Sequence, residues 1–429
     1  MAQTVDFAIA LLVLYLTYLV GHAIYLLKGH PLAGIPGPWT SAISRIPYWH
    51  KFMKGQDVYW QHELHEKYGP VVRFGPYDVS YATADAWKVI HGSIKGGYTL
   101  AKPHDANIRP VNGVESILTA DAVDHARVRK LFSPAFSERA LRKQESMFQK
   151  YADIFISKIR EISDEGQAID MTGLYNFATF DIMGDLCFGH PPGLLAKNEF
   201  SPWVQSVFES LKLIPIINVI HYYPVLLALF ERFQPKSVTE QILVHAKHSA
   251  DRVDQRLQEG SDKPDIWNLV MSAQDTDKGL TLEEMHSNAD LFMMAGSETT
   301  ATLLSGVTYY LLSNPEKMQI LLQEVRGSFK SAGDLSLDSL SNLKYLNACL
   351  KEAMRIYPPL PIGSQRIVPK GGLNILGQWM PADTRVFCHH YSMYHLSSNF
   401  KDPESFVPER WLGAPEYSDD VQDAHQPFS

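Results

Sequence analysis

Cysteine is scarce in this chain. Three occur in 429 residues, Cys187, Cys349 and Cys388, widely spaced and odd in number. They draw neither a disulfide framework nor a zinc-finger spacing, so the bulk of the chain is expected in a reducing compartment. Positive charge is not in excess: the formal net charge is -8, which argues against non-specific nucleic-acid binding. Internal repeats and low-complexity tracts are missing, which sets aside repeat architectures. The first residues carry no basic side chain, only Asp6, so the start does not read as a cleavable secretion signal. What remains is an ordinary globular composition, 45% hydrophobic and 20% charged, long enough to bury a large core. The length admits two or three domains or one large fold.

Residues 7–27 form an uncharged run broken only by Thr17, Gly21 and His22. At helical rise such a run reaches roughly 30 Å, enough to cross a bilayer core. The nearest basic residue, Lys28, follows it, which favours a retained anchor with the main body on the cytosolic side. A buried core helix is the alternative. The Gly34-Ile35-Pro36-Gly37-Pro38-Trp39 stretch then reads as a stiff, non-helical link.

Beyond it the pattern is mostly helical: 57–68, 84–91, a basic helix opening at His125, 177–189, 238–259, a long one at 281–314, 315–329 and 344–356. Residues 211–230 are strongly apolar, but Pro215 and Pro224 predict a broken helix pair rather than a straight second membrane span. Short strands are expected at 71–74 and 79–82 around Gly75-Pro76, and again at 365–368, 373–376 and 385–388.

The long helix holds the most informative stretch, Met293-Met294-Ala295-Gly296-Ser297-Glu298-Thr299-Thr300-Ala301. Thr281 and Glu284 form its capping box, and Asn314-Pro315 ends it. Ala295, Glu298 and Thr299 share one face by their spacing. A carboxylate and a hydroxyl inside an apolar rod are costly unless bonded, which points to a wet, functional groove; a satisfied polar patch in a core helix is the bland alternative. Gly296 removes bulk and makes a local widening of the helix easier. On the basic helix, His125 and Arg129 lie four apart and can face one anionic ligand together. Arg139, Arg142 and Lys143 follow as a candidate docking patch for an acidic partner, or simply a solvated face. Glu352 and Arg355 are spaced for a salt bridge, and Pro408-Glu409-Arg410-Trp411 follows in a loop.

In this order, the anchor, Pro-Gly-Pro link, H-x-x-x-R helix, A-G-x-E-T helix, E-x-x-R helix and P-E-R-W loop resemble a membrane-bound cytochrome P450, a haem-thiolate monooxygenase. The text His30-Pro31-Leu32 and FDIMGDLCFG is similar to filamentous-fungal members that oxidise terpenoid and other secondary metabolites. The resemblance implies a mainly α fold with small β-sheets and a single N-terminal transmembrane helix. It divides the chain into a short tail (1–6), anchor (7–27), hinge (28–40) and a catalytic domain (41–429) expected to be incomplete at its C-terminus.

It also implies haem b, NADPH supplied through a flavoprotein reductase, a small lipophilic substrate, and residence in the endoplasmic reticulum membrane. Glu298 and Thr299 match the acid–alcohol pair that delivers protons during oxygen activation. Ala295 and Gly296 match the oxygen groove. His125, Arg129 and Arg366 match the propionate-binding positions, and Glu352, Arg355 and Arg410 match the ion network under the haem. Residues 108–118, 211–220 and 360–365 would shape the substrate pocket, and the basic helix would help receive the reductase.

One departure stands against this. The family's iron ligand is the cysteine of F-x-x-G-x-R-x-C-x-G, whose place begins at Phe428-Ser429, and the given sequence reads no further. None of the three cysteines lies in a matching segment, so no iron ligand is expected within these residues. The competing expectation is a haem-free remnant that at most binds membrane, lipid or a partner. An isomerase or dehydratase on the same fold is a third, and the Glu298-Thr299 pair argues against it.

Overall fold

Two short runs of apolar and β-branched residues flank Gly75-Pro76. They pair as β1 (Val71–Gly75) and β2 (Asp78–Tyr81), with Val71 opposite Tyr81 and Val72 opposite Ser80. The computed structural model describes residues 2–92, 99–103, 112–233, 236–259, 266–272 and 279–428. Late in the sequence come β3 (Arg366–Ile367), β4 (Leu373–Ile375), β5 (Gln378–Met380) and β6 (Arg385–Cys388). β2 pairs in parallel with β6, placing Asp78 opposite Arg385 and Tyr81 opposite Cys388. β3 completes a four-stranded sheet in the order β1-β2-β6-β3, while β4 and β5 form a separate hairpin. The two strand clusters at opposite ends of the sequence therefore build one sheet. β5 was not foreseen: Leu376 and Gly377 both take positive φ in its turn, and leucine there gives no turn signal.

The chain forms two compact units. The first gathers residues 1–103, 361–403 and 420–429 around this sheet. Its N-terminal helix, Ala2–Ile24, runs on through a wider π-turn at Tyr25–Gly29. Residues Thr4–Gly29 are long and apolar enough to cross a bilayer. The Pro-Gly-Pro link that follows is docked on the sheet: Arg73 N–H donates to the Pro36 carbonyl at 2.8 Å. A Cβ at Gly37 would lie 2.1 Å from the Arg73 carbonyl oxygen, so only glycine lets the two backbones meet.

The second unit holds residues 104–360 and 404–419. At its centre is the helix Leu282–Ser313, capped by the Thr281–Glu284 box. Met171–Phe188 packs along it, and Phe132, Phe180, Phe188, Trp267, Met285 and Met293 belong to one continuous core. A second core joins Val307 and Leu311 of the central helix to Tyr345, Cys349 and Ile356 of the Lys344–Ile356 helix, with Phe406. The basic helix spans Ala122–Phe132 and starts three residues before His125 because Asp121 accepts the N–H groups of Val123 and Asp124. The Pro215 and Pro224 expectation is met: Ile214–Tyr222 and Pro224–Phe233 are separate helices, and residues 202–222 bend by 43°. The helix Glu145–Asp164 escaped the sequence reading. Part of the expected pocket wall, residues 108–111, lies outside the described residues.

In the first unit two histidines are sealed from water between Asp57–Tyr68 and His390–His395. His65 bonds the Gly69 carbonyl (3.0 Å) and the Ser80 hydroxyl (2.8 Å), and its ring stacks on His389 at 6.0 Å. Burial pushes His65 down to about 4 and His389 well below its ordinary value, with the neighbouring histidines adding to both shifts. Both are neutral in the fold, whereas the unfolded chain protonates them below about 6.5. Stability is therefore fully present above pH 6.5 and falls as pH drops toward 4, by about 1.4 kcal/mol per pH unit for each histidine. Denaturant melts of wild type and His65→Asn between pH 7 and 4.5 test this. The wild-type midpoint should fall more steeply than the mutant's, and equal slopes would remove His65 from the linkage.

Candidate active site

The central helix presents its polar stretch on two sides. Met293 and Ser297 are buried, the Ser297 hydroxyl lying 3.4 Å from the Thr179 carbonyl of the Met171–Phe188 helix. Gly296 faces the same neighbour: a Cβ there would lie 2.6 Å from the Met183 sulfur. The helix stays α-helical from Leu282 to Ser313, so the expected widening at Gly296 does not occur. What the glycine admits is the Met183 side chain. Gly306, one further glycine on this helix, likewise admits the Tyr357 ring, 2.6 Å from where its Cβ would sit. Close packing thus fixes the helix at two levels along its length.

Ala295, Glu298 and Thr299 occupy the more open side. Ala295 is exposed in the middle of the helix, and Glu298 and Thr299 are half-buried. Thr299 donates its hydroxyl to the Ala295 carbonyl at 2.7 Å. Among the described residues, the buried Oε2 of Glu298 has no hydrogen-bond partner. Burial raises the pKa of this carboxyl, so it holds its proton at a higher pH than a solvated glutamate would.

At its N-terminal end the helix gathers a loop that sequence reasoning did not connect to it. Asn288, fully buried, accepts the Ile117 N–H at 2.9 Å, and Ser287 donates to the Asn112 side chain and the Val114 carbonyl, each at 2.9 Å. An asparagine inside an apolar helix was the available signal. Arg127 ties the basic helix to the same end through Glu284, with Asp124 as a second partner. This leaves His125 half-buried and Arg129 exposed; among the described residues the Arg129 guanidinium makes no ion pair.

Arg366 belongs to the first unit, on β3. Its guanidinium donates to the Ser364 hydroxyl (2.6 Å) and the Gln365 carbonyl (3.0 Å), and burial lowers its pKa. Beside it His91 is pushed down to about 3, first by burial, then by the Arg366 and His390 charges. No carboxylate among the described residues pairs with Arg366, so a half-buried cation is left for an anionic group.

Glu352, Arg355 and Arg410 come together with no side-chain surface left in water. Arg355 donates to both carboxylate oxygens of Glu352, at 2.8 and 3.0 Å, and to the Ser405 carbonyl. Arg410 Nε donates to Oε1 at 3.2 Å, the Val407 N–H to the same oxygen at 2.9 Å, and the Trp411 indole to Oε2 at 2.9 Å. Burial alone would raise the Glu352 pKa; the Arg355 bonds and charge, with Arg410 and Val407, outweigh it and hold the carboxyl below its ordinary value. The indole and the Val407 amide were not foreseen as partners.

The family model described as Cytochrome P450 matches residues 36–429. The chain belongs to the cytochrome P450 family. A cytochrome P450 monooxygenase (FUM2) of Gibberella moniliformis is 44% identical over 403 residues, 93% of this chain and 85% of the relative. Another (efuB), from Hormonema carpetanum, is 42% identical over 97% of this chain and 83% of its own length. The averantin hydroxylase of Dothistroma septosporum is 40% identical, covering 94% of this chain and 76% of the relative. The mainly helical fold with small sheets and one apolar N-terminal helix is that of the family, whose members are haem-dependent monooxygenases served by a reductase.

The residues present fit a haem in part. In the second unit the unpartnered Glu298 oxygen is open to a polar ligand, and in the first the Arg366 cation, without a carboxylate, is open to an anionic group. The three cysteines do not suit the thiolate ligand: each is fully buried, and burial pushes the Cys349 thiol up to about 12 and Cys388 higher still. Removal of Glu352 would leave two buried guanidinium groups without this carboxylate. Glu352→Ala is expected to cost about 3–5 kcal/mol in denaturant unfolding. A loss below about 1 kcal/mol would mean that the network is not shielded from water.

Proposed function

We propose that this cytochrome P450 hydroxylates a small lipophilic substrate, a terpenoid or other fungal secondary metabolite, at an endomembrane such as the endoplasmic reticulum. The names of the relatives support the substrate class: one is an averantin hydroxylase, and others are fungal monooxygenases. In this reading residues 7–27 anchor the enzyme, 28–40 join anchor to body, and 41–429 carry the catalytic fold. Haem b is the prosthetic group, and NADPH is the electron source through the reductase.

The observation that carries the reading is the pair on the open side of the central helix: an unpartnered, buried glutamate oxygen beside a threonine hydroxyl. When bound, haem supplies the activation of dioxygen and the transfer of one of its atoms to the substrate. The protein's part is proton delivery and water exclusion. Burial disfavours the Glu298 anion, so this carboxyl takes up a proton at a higher pH than a solvated glutamate and can pass it on. Thr299 keeps its own hydrogen on the Ala295 carbonyl, so its Oγ1 lone pairs are left to accept. By turning, the hydroxyl passes a proton into the groove beside Ala295. Gly296 contributes through Met183, which fixes the helix that carries both groups. His125 and Arg129 offer N–H donors to the propionates, and the Glu352–Arg355–Arg410 network holds the segment at 404–419 to the Lys344–Ile356 helix.

Reconstituted with a reductase, Thr299→Ala should consume oxygen at a rate near wild type while product per oxygen falls at least threefold and peroxide rises. Unchanged coupling would take Thr299 out of proton delivery. In the same assay Glu298→Gln should slow turnover and flatten its response to acid.

A further inference from the structure

Arg73 is a buried cation whose hydrogen bonds go to backbone carbonyls rather than to a carboxylate. It is 2% exposed, on β1, and donates to the carbonyls of Leu26 (2.9 Å), Pro76 (2.7 Å from Nη2, 3.3 Å from Nε) and Ala42 (3.4 Å). Leu26 O lies in the last turn of the apolar N-terminal helix, where carbonyls lose their helical partners and the dipole favours a cation. The Leu26 side chain is itself buried, at 1% exposure. From the same place an aromatic ladder descends to the sheet. Tyr18 stacks on His22 (5.8 Å), His22 meets Tyr25 (6.3 Å), Tyr25 meets His30 (5.6 Å), and His30 meets Tyr77 in the β1–β2 turn (5.4 Å). Tyr18, Tyr25 and Tyr77 remain 63%, 49% and 40% exposed.

We propose that Arg73 and this ladder form a rigid membrane seat: they fix the spanning helix to the sheet-bearing unit in one orientation and set the lipid headgroup level at Tyr25–Tyr77. Amphipathic rings settle where hydrocarbon gives way to water, and the tilt of a spanning helix is set by such anchors and by its packing. A helix tethered only by a flexible linker would not need a desolvated arginine spent on its terminal carbonyl. The occupant of the seat is the bilayer that holds residues 4–29, and the proposal rests on the reading that these residues span it.

The test uses the full chain in phosphatidylcholine nanodiscs. All three native cysteines are buried, so nitroxides attach selectively at introduced cysteines. Labels at Val13→Cys and Tyr59→Cys should give a single narrow distance distribution, and a label at Tyr77→Cys should report headgroup depth by its oxygen and nickel accessibilities. Arg73→Gln should broaden the distribution at least twofold. Three glycines inserted between Gly29 and His30, which leave Arg73 in place, should do the same. A broad wild-type distribution, or a fully aqueous label at residue 77, in protein that resists carbonate extraction overturns the seat while leaving the anchor standing. Release by carbonate overturns the anchor, and the seat with it.

Discussion

A carboxylate placed out of reach of water must be answered by charge and hydrogen bonds, and Glu352 is answered on every side. Its two oxygens receive five donors, from Arg355, Arg410, Val407 and Trp411. Such a cluster adds little net stability over apolar packing, because desolvation consumes most of the attraction. What it supplies is position. Residues 404–419 are far in sequence from the rest of the second unit, and they join it at this carboxylate and at the neighbouring Tyr345–Glu409 and Lys317–Glu409 bonds. The central helix depends on the same neighbourhood, since its C-terminal half shares a core with Tyr345, Cys349 and Phe406.

The helix is then held at three levels by different physics. Its N-terminal end is pinned by polar contacts from Asn112, Ile117 and Arg127. Its middle is located by the close fit of Met183 on Gly296, and its far end by Tyr357 on Gly306. Ala295 is exposed and Glu298 and Thr299 are half-buried, so the reactive groups sit on a rod that is held above and below them. Precision at the chemistry is obtained by constraining the element that carries it.

Much of this was legible as pattern. The Thr281–Glu284 box, the Asn314-Pro315 stop and the prolines at 215 and 224 marked helix ends because local chemistry decides them. The site residues were legible as spacing: Glu352 and Arg355 three apart, Glu298 beside Thr299. Other features were hidden because they depend on partners distant in sequence. Nothing in Arg73 distinguishes it from a surface arginine on a strand until the carbonyl of Leu26 arrives. Gly296 was read as easing a local widening of the helix, and only the neighbouring helix shows that methionine packs there instead. The Glu145–Asp164 helix was missed although Phe148, Tyr151, Ile154, Phe155, Ile159 and Ile162 recur along it at helical spacing.

The parallel pairing of β2 with β6 has a consequence in time. The hairpin at residues 71–81 leaves the ribosome early, and its central partner at 385–388 follows on the order of tens of seconds later at ordinary elongation rates. Through that interval β2 has an open edge with unpaired backbone donors and acceptors, and its buried-to-be residues Val79 and Tyr81 are bare. The apolar N-terminal helix is synthesised before either. During translation the nascent chain therefore carries an unfinished sheet beside its most apolar segment, a period in which chaperone cover or early lipid capture would decide yield.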